Sequence, residues 1–435
     1  MAYKHYINAL LTLLLPLVMG GIGGAGRVCA QRHILFSDDI ASLQVVAGVR
    51  WQEMPIIRLN GNEVLNISFD DLSHSYRRFS YTITHLEADF TPSEGLFTSD
   101  YLAGFETGLT IDSYNQSINT LQNYTHYTLQ IPNEKCRMTM SGNYRLDIRD
   151  DDDDGRLMAS VFFMVNEAAV TVGLSTTANT DIDIRHSHQQ VELSVDYSPL
   201  RATDARRQVK GYVLQNGRWD NARWLPEASR ISQKMLEWVH CRDLIFEAGN
   251  EYHKFEILDI HRNSMNVENN VWDGENWHTI LWYDYKRPSY VYDETAKGSF
   301  YIRNSDNHEN DITSEYVLVH FLLKSPPLPY RLFVNGTWTN DRFLPKYEMH
   351  YDEERKMYEA VVRLKYGYYS YQYLMLDGND IIEGEVTEDE EVGKNTAEPI
   401  IPPTEGSFHE TRNNYNALIY YRGNNDRADR LVGVY

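Results

Sequence analysis

"YRLDIRDDDDDGRLMASVFFMV", Tyr144 to Val165, is the stretch whose reading settles the class of fold. Two strand-like runs flank five aspartates and a glycine, and Asp and Gly favour tight turns for backbone reasons of their own. The segment reads as a β-hairpin. Elsewhere the dominant period is two: "FSYTI" at Phe79 to Ile83, "YTLQI" at Tyr127 to Ile131, "VELSVDY" at Val191 to Tyr197 and "YYSYQYL" at Tyr368 to Leu374 alternate as half-buried strands do. The 31 tyrosines suit a pleated surface. Clusters of Asn, Asp, Gly and Pro at short spacing separate these runs, which predicts antiparallel sandwiches joined by hairpins. Helix is expected to be scarce, with Glu227 to Val239 the best candidate.

At 435 residues the chain is too long for one ordinary domain, and at about 150 residues per domain it suggests roughly three. Residues 1–30 stand apart as a signal peptide: Lys4 precedes an apolar run, and "VCA" before Gln31 has the small-x-small form of a cleavage site. Arg27 and Val28 are poor neighbours for lipid attachment at Cys29. No later segment is long and apolar enough to span a bilayer as a helix. Cleavage would remove Lys4 and Arg27, leaving 39 basic against 62 acidic residues, so the formal charge moves from −21 to −23. A chain so acidic is not built for phosphate backbones, and no nucleic-acid partner is expected. Cys136 and Cys241 survive cleavage and are expected in different blocks as unpaired thiols.

Three consecutive β-sandwich domains are expected. The first spans 31–165 and closes with the opening hairpin; the second spans 166–314; the third, 315–435, starts at "YVLVHFLL" and ends in the hairpin "NALIYYRGNNDRADRLVGV". Within the third, an acidic and then Pro-rich excursion near 383–403 reads as a loop.

Candidate chemistry is thin. Asp150, Asp152 and Asp154 followed by Gly155 match the first half of a calcium loop, but Val161 stands where the closing Glu is needed, so a solvated turn is the simpler reading. His186 and His188 would share one strand face without a third ligand nearby. The motifs that place a nucleophile or metal beside its base are absent, and no catalytic residue or cofactor is expected.

Two related turns remain, "LQNGRWDNA" at Leu214 to Ala222 and "FVNGTWTND" at Phe333 to Asp341. Asn-Gly is a strong hairpin signal because both residues tolerate positive φ. In this reading the turn lifts Trp338 toward solvent, as a sugar-binding platform would. The third block looks like an early-set, glycogen-binding-module type of sandwich. Sugar-binding members of that type carry a second Trp soon after the terminal "DG", whereas Asp377 and Gly378 here precede Asn379, Asp380 and Ile381. With the platform incomplete, Trp338 reads as a residue that packs under its own loop and shapes the hairpin, and glycan binding through it is the alternative reading.

A collinear series names a family. "MPIIRLN", "LNISFDDL", "YTITHLEADFTPS", "SDYLAGFE", "NTLQNYTHYTLQIPNE" and "SGNYRLDI" resemble the N-terminal domain of type IX secretion system plug proteins. The likeness continues through "YVLQNGRWDNA", "LIFEAGNEYHKFEIL", "VLVHFLL", "FVNGTWTN", "YEAVVRLKYGYYSYQYL" and "NYNALIYYRG". Two regions depart from it: the stretch from Thr387 to Pro403 is long, and Met265 to Tyr290 matches poorly. The resemblance implies a non-enzymatic periplasmic protein at the inner face of the outer membrane, closing the large outer-membrane translocon barrel as a monomer within a larger assembly. Phe90, Phe97 and Tyr101 in "ADFTPSEGLFTSDY" are the candidate partner-binding residues, since aromatic anchors carry much of the energy of such interfaces. A secreted cargo of the same pathway would end in a C-terminal sorting domain; "DRLVGVY" belongs to the plug-type module instead.

Overall fold

A computed structural model describes residues 32–105, 107–232, 234–377 and 398–435. The opening hairpin is where the sequence placed it: Gly142–Asp150 and Arg156–Asn166 pair antiparallel, with Tyr144 opposite Phe163 and Leu146 opposite Val161. They lie in a six-stranded sheet with Ile34–Leu35, Phe79–Leu86, Leu109–Thr110 and a parallel partner, Ile56–Arg58. A second sheet covers it, formed by Ile40–Ala47, Leu65–Asp71, Thr125–Ile131 and Ser113–Gln116. Between them Phe69 stacks on Tyr127 at 5.4 Å, and Phe79 meets both edge-on at 5.4 and 4.8 Å. The four strands predicted from period two are all strands here.

Arg156–Asn166 departs from simple alternation because both of its faces are buried. Val161, Phe163 and Val165 point into the first core, while Phe162 and Met164 pack on Tyr212, Leu214, Leu418, Tyr420 and Leu431. Those last residues belong to a four-stranded sheet of Arg223–Trp224, Val209–Gln215, Tyr415–Tyr421 and Arg430–Val434. Its other face, through Val213, Ala417, Ile419 and Val432, meets the five-stranded sheet of Thr171–Thr177, His188–Asp196, Met235–Trp238, Arg230–Ser232 and Ile245–Glu247.

This pairing corrects the consecutive partition of the chain. The final hairpin, expected to close the third block, pairs with Val209–Gln215 and completes the middle one. It is apolar on both faces, so it needs a core on either side, and only the position between the first and middle blocks supplies two. Conversely His253–Ile257, Val267–Trp272, Trp277–Leu281, Asp284–Tyr285 and Phe300–Ile302, expected in the middle block, join the ten-stranded third sheet with Tyr316–Lys324, Arg331–Asn335, Glu348–Asp352, Met357–Lys365 and Gly367–Leu376. That sheet folds over itself, so that Phe321 packs on Phe255, Tyr371 and Trp338 at 5.6, 5.1 and 5.8 Å.

The protein is all-β with little helix: the α-helices among the described residues have four residues each, Thr98–Tyr101, Ala205–Gln208 and Asn310–Thr313. The helix expected at Glu227 to Val239 is instead the β-hairpin of Arg230–Ser232 and Met235–Trp238. Leu236 and Trp238 are buried on alternate positions, and Met235–Trp238 also pairs with His188–Asp196. An available sheet edge overrides a helical spacing that propensity alone favours weakly. No helix among the described residues is long and apolar enough to cross a membrane. The signal-peptide reading and residues 383–397 of the acidic excursion lie outside the described residues; beyond them Ile400 and Met375 exchange two backbone hydrogen bonds of 2.8 Å.

Burial on both faces is testable. Phe162→Ala and Phe163→Ala should each destabilise the protein by about 3–5 kcal/mol in urea unfolding. A strand with one solvated face would lose stability at only one of the two positions.

Candidate functional site: the junctions between blocks

The two tryptophan turns are neighbours in space. In the first, Asn216 and Gly217 both have positive φ, 56° and 64°, as an Asn-Gly hairpin requires. The second is built differently. Gly336 is extended at φ −168°, and Thr337–Thr339 forms a short 3-10 turn ending at Asn340 with φ 57°. Glycine is needed there for closeness: a Cβ on Gly336 would lie 2.4 Å from the Trp338 indole nitrogen and 2.8 Å from the Ser370 carbonyl oxygen. Trp338 is consequently not lifted toward solvent. It is 8% exposed, stacks on Phe321, and donates its indole N–H to the Ser370 carbonyl at 3.2 Å. Trp219 is equally buried, edge-on to Phe90 at 5.0 Å and Tyr212 at 5.8 Å. Both tryptophans fill cores and neither offers a face to a sugar ring.

What joins the turns is Asp341. Its carboxylate accepts from Arg32 Nε at 3.0 Å and from the Trp219 N–H at 3.4 Å, while Arg32 Nη2 donates to the Gly217 carbonyl at 2.7 Å. Beside them the buried Arg218 holds Asp220 through two bonds of 3.0 and 2.7 Å. Burial and the neighbouring Asp341 push Asp220 upward, against the opposing pull of the Arg218 guanidinium. All three blocks thus meet through ionic groups at one point. A cleft of about 810 Å³ opens beside it, with Arg50, Trp51, Asn216, Lys297 and Asn340 on its walls. Arg50 is engaged by Glu53 and Glu63, and Lys297 by Glu251. Next to Arg32, buried His33 accepts the Phe162 N–H at its Nδ1, 3.1 Å away; burial, with the Arg32 charge, pulls its pKa down to about 3.

A second junction ties the first block to the third. Asp70 is fully buried and accepts from Lys365 Nζ, from the Tyr316 hydroxyl and from His126 Nδ1, each at 2.6 Å. Lys365 also donates to the Asp311 carbonyl at 2.5 Å and sits 4.1 Å from the centre of the Tyr124 ring. Burial raises the Asp70 pKa, and Lys365 with His126 more than offsets it, leaving the carboxyl below its usual range. Nearby, Glu315 caps the chain of the first block by accepting from the N–H groups of Leu121 and Gln122.

The residues singled out from sequence are scattered. Phe90 and Tyr101 are buried, at 6% and 7% exposure, and Tyr101 donates to the Ile83 carbonyl; Phe97 alone of the three is exposed, at 76%. Asp150 and Asp152 are occupied in the hairpin turn: Asp150 accepts the Asp152 N–H and Asp152 the Arg78 N–H, both at 2.9 Å, while Asp154 is exposed with φ 49°. His188 is paired with Asp183 at 2.7 Å and His186 is exposed. Cys136 and Cys241 are free thiols. Asp70, Lys365, Arg218 and Asp341 were missed. The one signal pointing to the last two was the repeated Asn-Gly-x-Trp turn, whose charged flanks went unread.

Both junctions yield measurable consequences. Lys365→Met strands a buried carboxylate and should cost about 3–5 kcal/mol, whereas Asp70→Leu combined with Lys365→Met should recover much of that loss. His33 titrates near 6.5 when unfolded and about 3 when folded, so below pH 6.5 the unfolded chain takes up a proton that the folded one refuses. Stability should therefore fall by about 1.4 kcal/mol per pH unit between pH 6 and 4 from this group, and His33→Gln should flatten that slope in urea titrations.

Comparison with known proteins places these features in a family. Residues 40–167, the first block, match the family described as "Type 9 secretion system plug protein 1st domain". Among solved structures, that of a hypothetical protein from Parabacteroides merdae ATCC 43184 is 34% identical, with a TM-score of 0.84 over 93% of this chain and 98% of that one. None of the curated proteins matches. The chain belongs to the type IX secretion system plug protein family.

Proposed function

We propose that this protein is a non-enzymatic component of type IX secretion that binds and closes the periplasmic end of the outer-membrane translocon barrel. It would act there as a monomer within the larger assembly, after removal of its signal peptide. The observation that carries this reading is the family match to the first block, joined to a fold in which buried ion pairs fix that block to the third and the Arg32 bond to the Gly217 carbonyl ties it to the middle one. A body that obstructs a pore must keep its outline under load. Paired buried charges serve this, because a shifted contact would leave one charge buried without its partner.

The candidate contact surface shrinks to the exposed aromatics of the first block. Phe90 and Tyr101 hold the loop from beneath, and Phe97 projects from it; Phe105, 65% exposed, follows the short strand Leu102–Gly104. Exposed aromatics on loops fixed from below suit an interface that must hold and later release.

The test is recovery of the tagged protein from detergent-solubilised native outer membranes, with mass spectrometry of what accompanies it. The barrel should co-purify with the wild-type chain and fall about tenfold or more with Phe97→Ala combined with Phe105→Ala, the effect of losing about 1.4 kcal/mol. Absence of the barrel from the wild-type sample would sink the plug reading; undiminished recovery with the double variant would remove only these two anchors.

A further inference from the structure

On the outward face of the third sheet, His278 in Trp277–Leu281 and His320 in Tyr316–Lys324 meet. The two strands run parallel, with His278 opposite Leu318 and Ile280 opposite His320, so the histidines are diagonal neighbours on one face. Their side chains, 22% and 18% exposed, bring His278 Nδ1 to 2.7 Å from His320 Nε2. Each outer nitrogen is held by a carboxylate. His278 Nε2 lies 2.9 Å from Asp273 Oδ2, and His320 Nδ1 lies 2.7 Å from Glu359 Oε1.

The carboxylates decide the tautomers. Asp273 accepts the backbone N–H groups of Asn276 and Glu275 at Oδ1, and as a carboxylate it can only accept from His278 at Oδ2. Glu359 is held by Arg355 at 2.5 Å through its other oxygen. A carboxylate facing each outer nitrogen puts the imidazole proton on that nitrogen. The two inner nitrogens then face one another as lone pairs across 2.7 Å. Two opposed lone pairs at that distance need a positive species between them.

We propose that His278 and His320 form a binding site for a divalent transition-metal ion of the zinc class. Imidazole with its far N–H on a carboxylate is the arrangement that orients and strengthens a histidine ligand. To admit an ion at about 2.0–2.1 Å from each nitrogen at the tetrahedral angle, the nitrogens must stand about 3.3–3.4 Å apart, so the rings part by roughly 0.6–0.7 Å from 2.7 Å and tilt to aim both lone pairs at the ion. Val267–Trp272 and Trp277–Leu281 form the outer end of their sheet, where such a shift meets little resistance. No group of three or more His, Cys, Asp or Glu among the described residues is disposed to hold a metal, so the two imidazoles form an open site. Water, or a donor from a docked partner, completes its coordination. Bound metal would clamp the outer hairpin to the central strand. A single shared proton would satisfy the same lone pairs, and the experiment separates the two.

Zn²⁺ alone is titrated into the untagged full-length protein at pH 7.5 by calorimetry, and Co²⁺ by absorption spectroscopy. One ion per chain is expected, with the thermal midpoint rising on addition of Zn²⁺. His278→Ala and His320→Ala should each weaken binding at least tenfold while remaining folded by circular dichroism. Asp273→Asn and Glu359→Gln, which leave both ligands in place, should weaken it about 10–100-fold. Failure of the wild-type protein to bind Zn²⁺, with nitrogen-15 spectra showing one proton shared by the rings, overturns the proposal in favour of the proton. Binding that persists unchanged in both histidine variants overturns it as well.

Discussion

The strand Arg156–Asn166 carries two cores at once, and most of the architecture follows from that. Val161, Phe163 and Val165 close the first sandwich; Phe162 and Met164 lie under the sheet that contains the final hairpin. A strand with both faces apolar cannot stand at a surface, so a second sheet has to cover it. Tyr415–Tyr421 and Arg430–Val434 meet the requirement because they too are apolar on both faces. The four-stranded sheet of the middle block is thereby a layer between the five-stranded sheet and the first block, and the chain must leave for the third block and return.

Charge then fixes what apolar packing brings together. Hydrophobic faces tolerate sliding, whereas the Asp70–Lys365 pair and the Arg32–Asp341 contact have one workable geometry each. Buried pairs contribute little net stability against an apolar replacement, but breaking one is costly. Their value here is in restricting how the first block docks on the third. That property suits the plugging role proposed above.

Much of the fold was legible. Alternation in "FSYTI", "YTLQI", "VELSVDY" and "YYSYQYL", and the Asp-Gly turn after Arg149, named strands that are all present, because period two reports a half-buried strand directly. The segment from Glu227 to Val239 failed because spacing that suits a helix also contains the alternation of Leu236 and Trp238, and the neighbouring strand chose between them. The site was much less legible. The two Asn-Gly-x-Trp turns look alike in sequence, yet the motif gives a positive-φ hairpin at Asn216 and an extended Gly336 in the other copy. His186 and His188 are close in sequence but do not form a pair; His278 and His320, 42 positions apart, are the pair that meets.

The sequence by itself determined the class of fold, the positions of most strands, the acidic balance and the family, because these depend on local alternation, composition and the order of short motifs. Tertiary structure alone decided that the last hairpin belongs to the middle block, that Phe90, Tyr101 and Trp338 are buried, and which charges and histidines meet. Those outcomes depend on which faces cover one another across hundreds of residues. A strand's alternation says that a face is apolar, but not which partner will cover it.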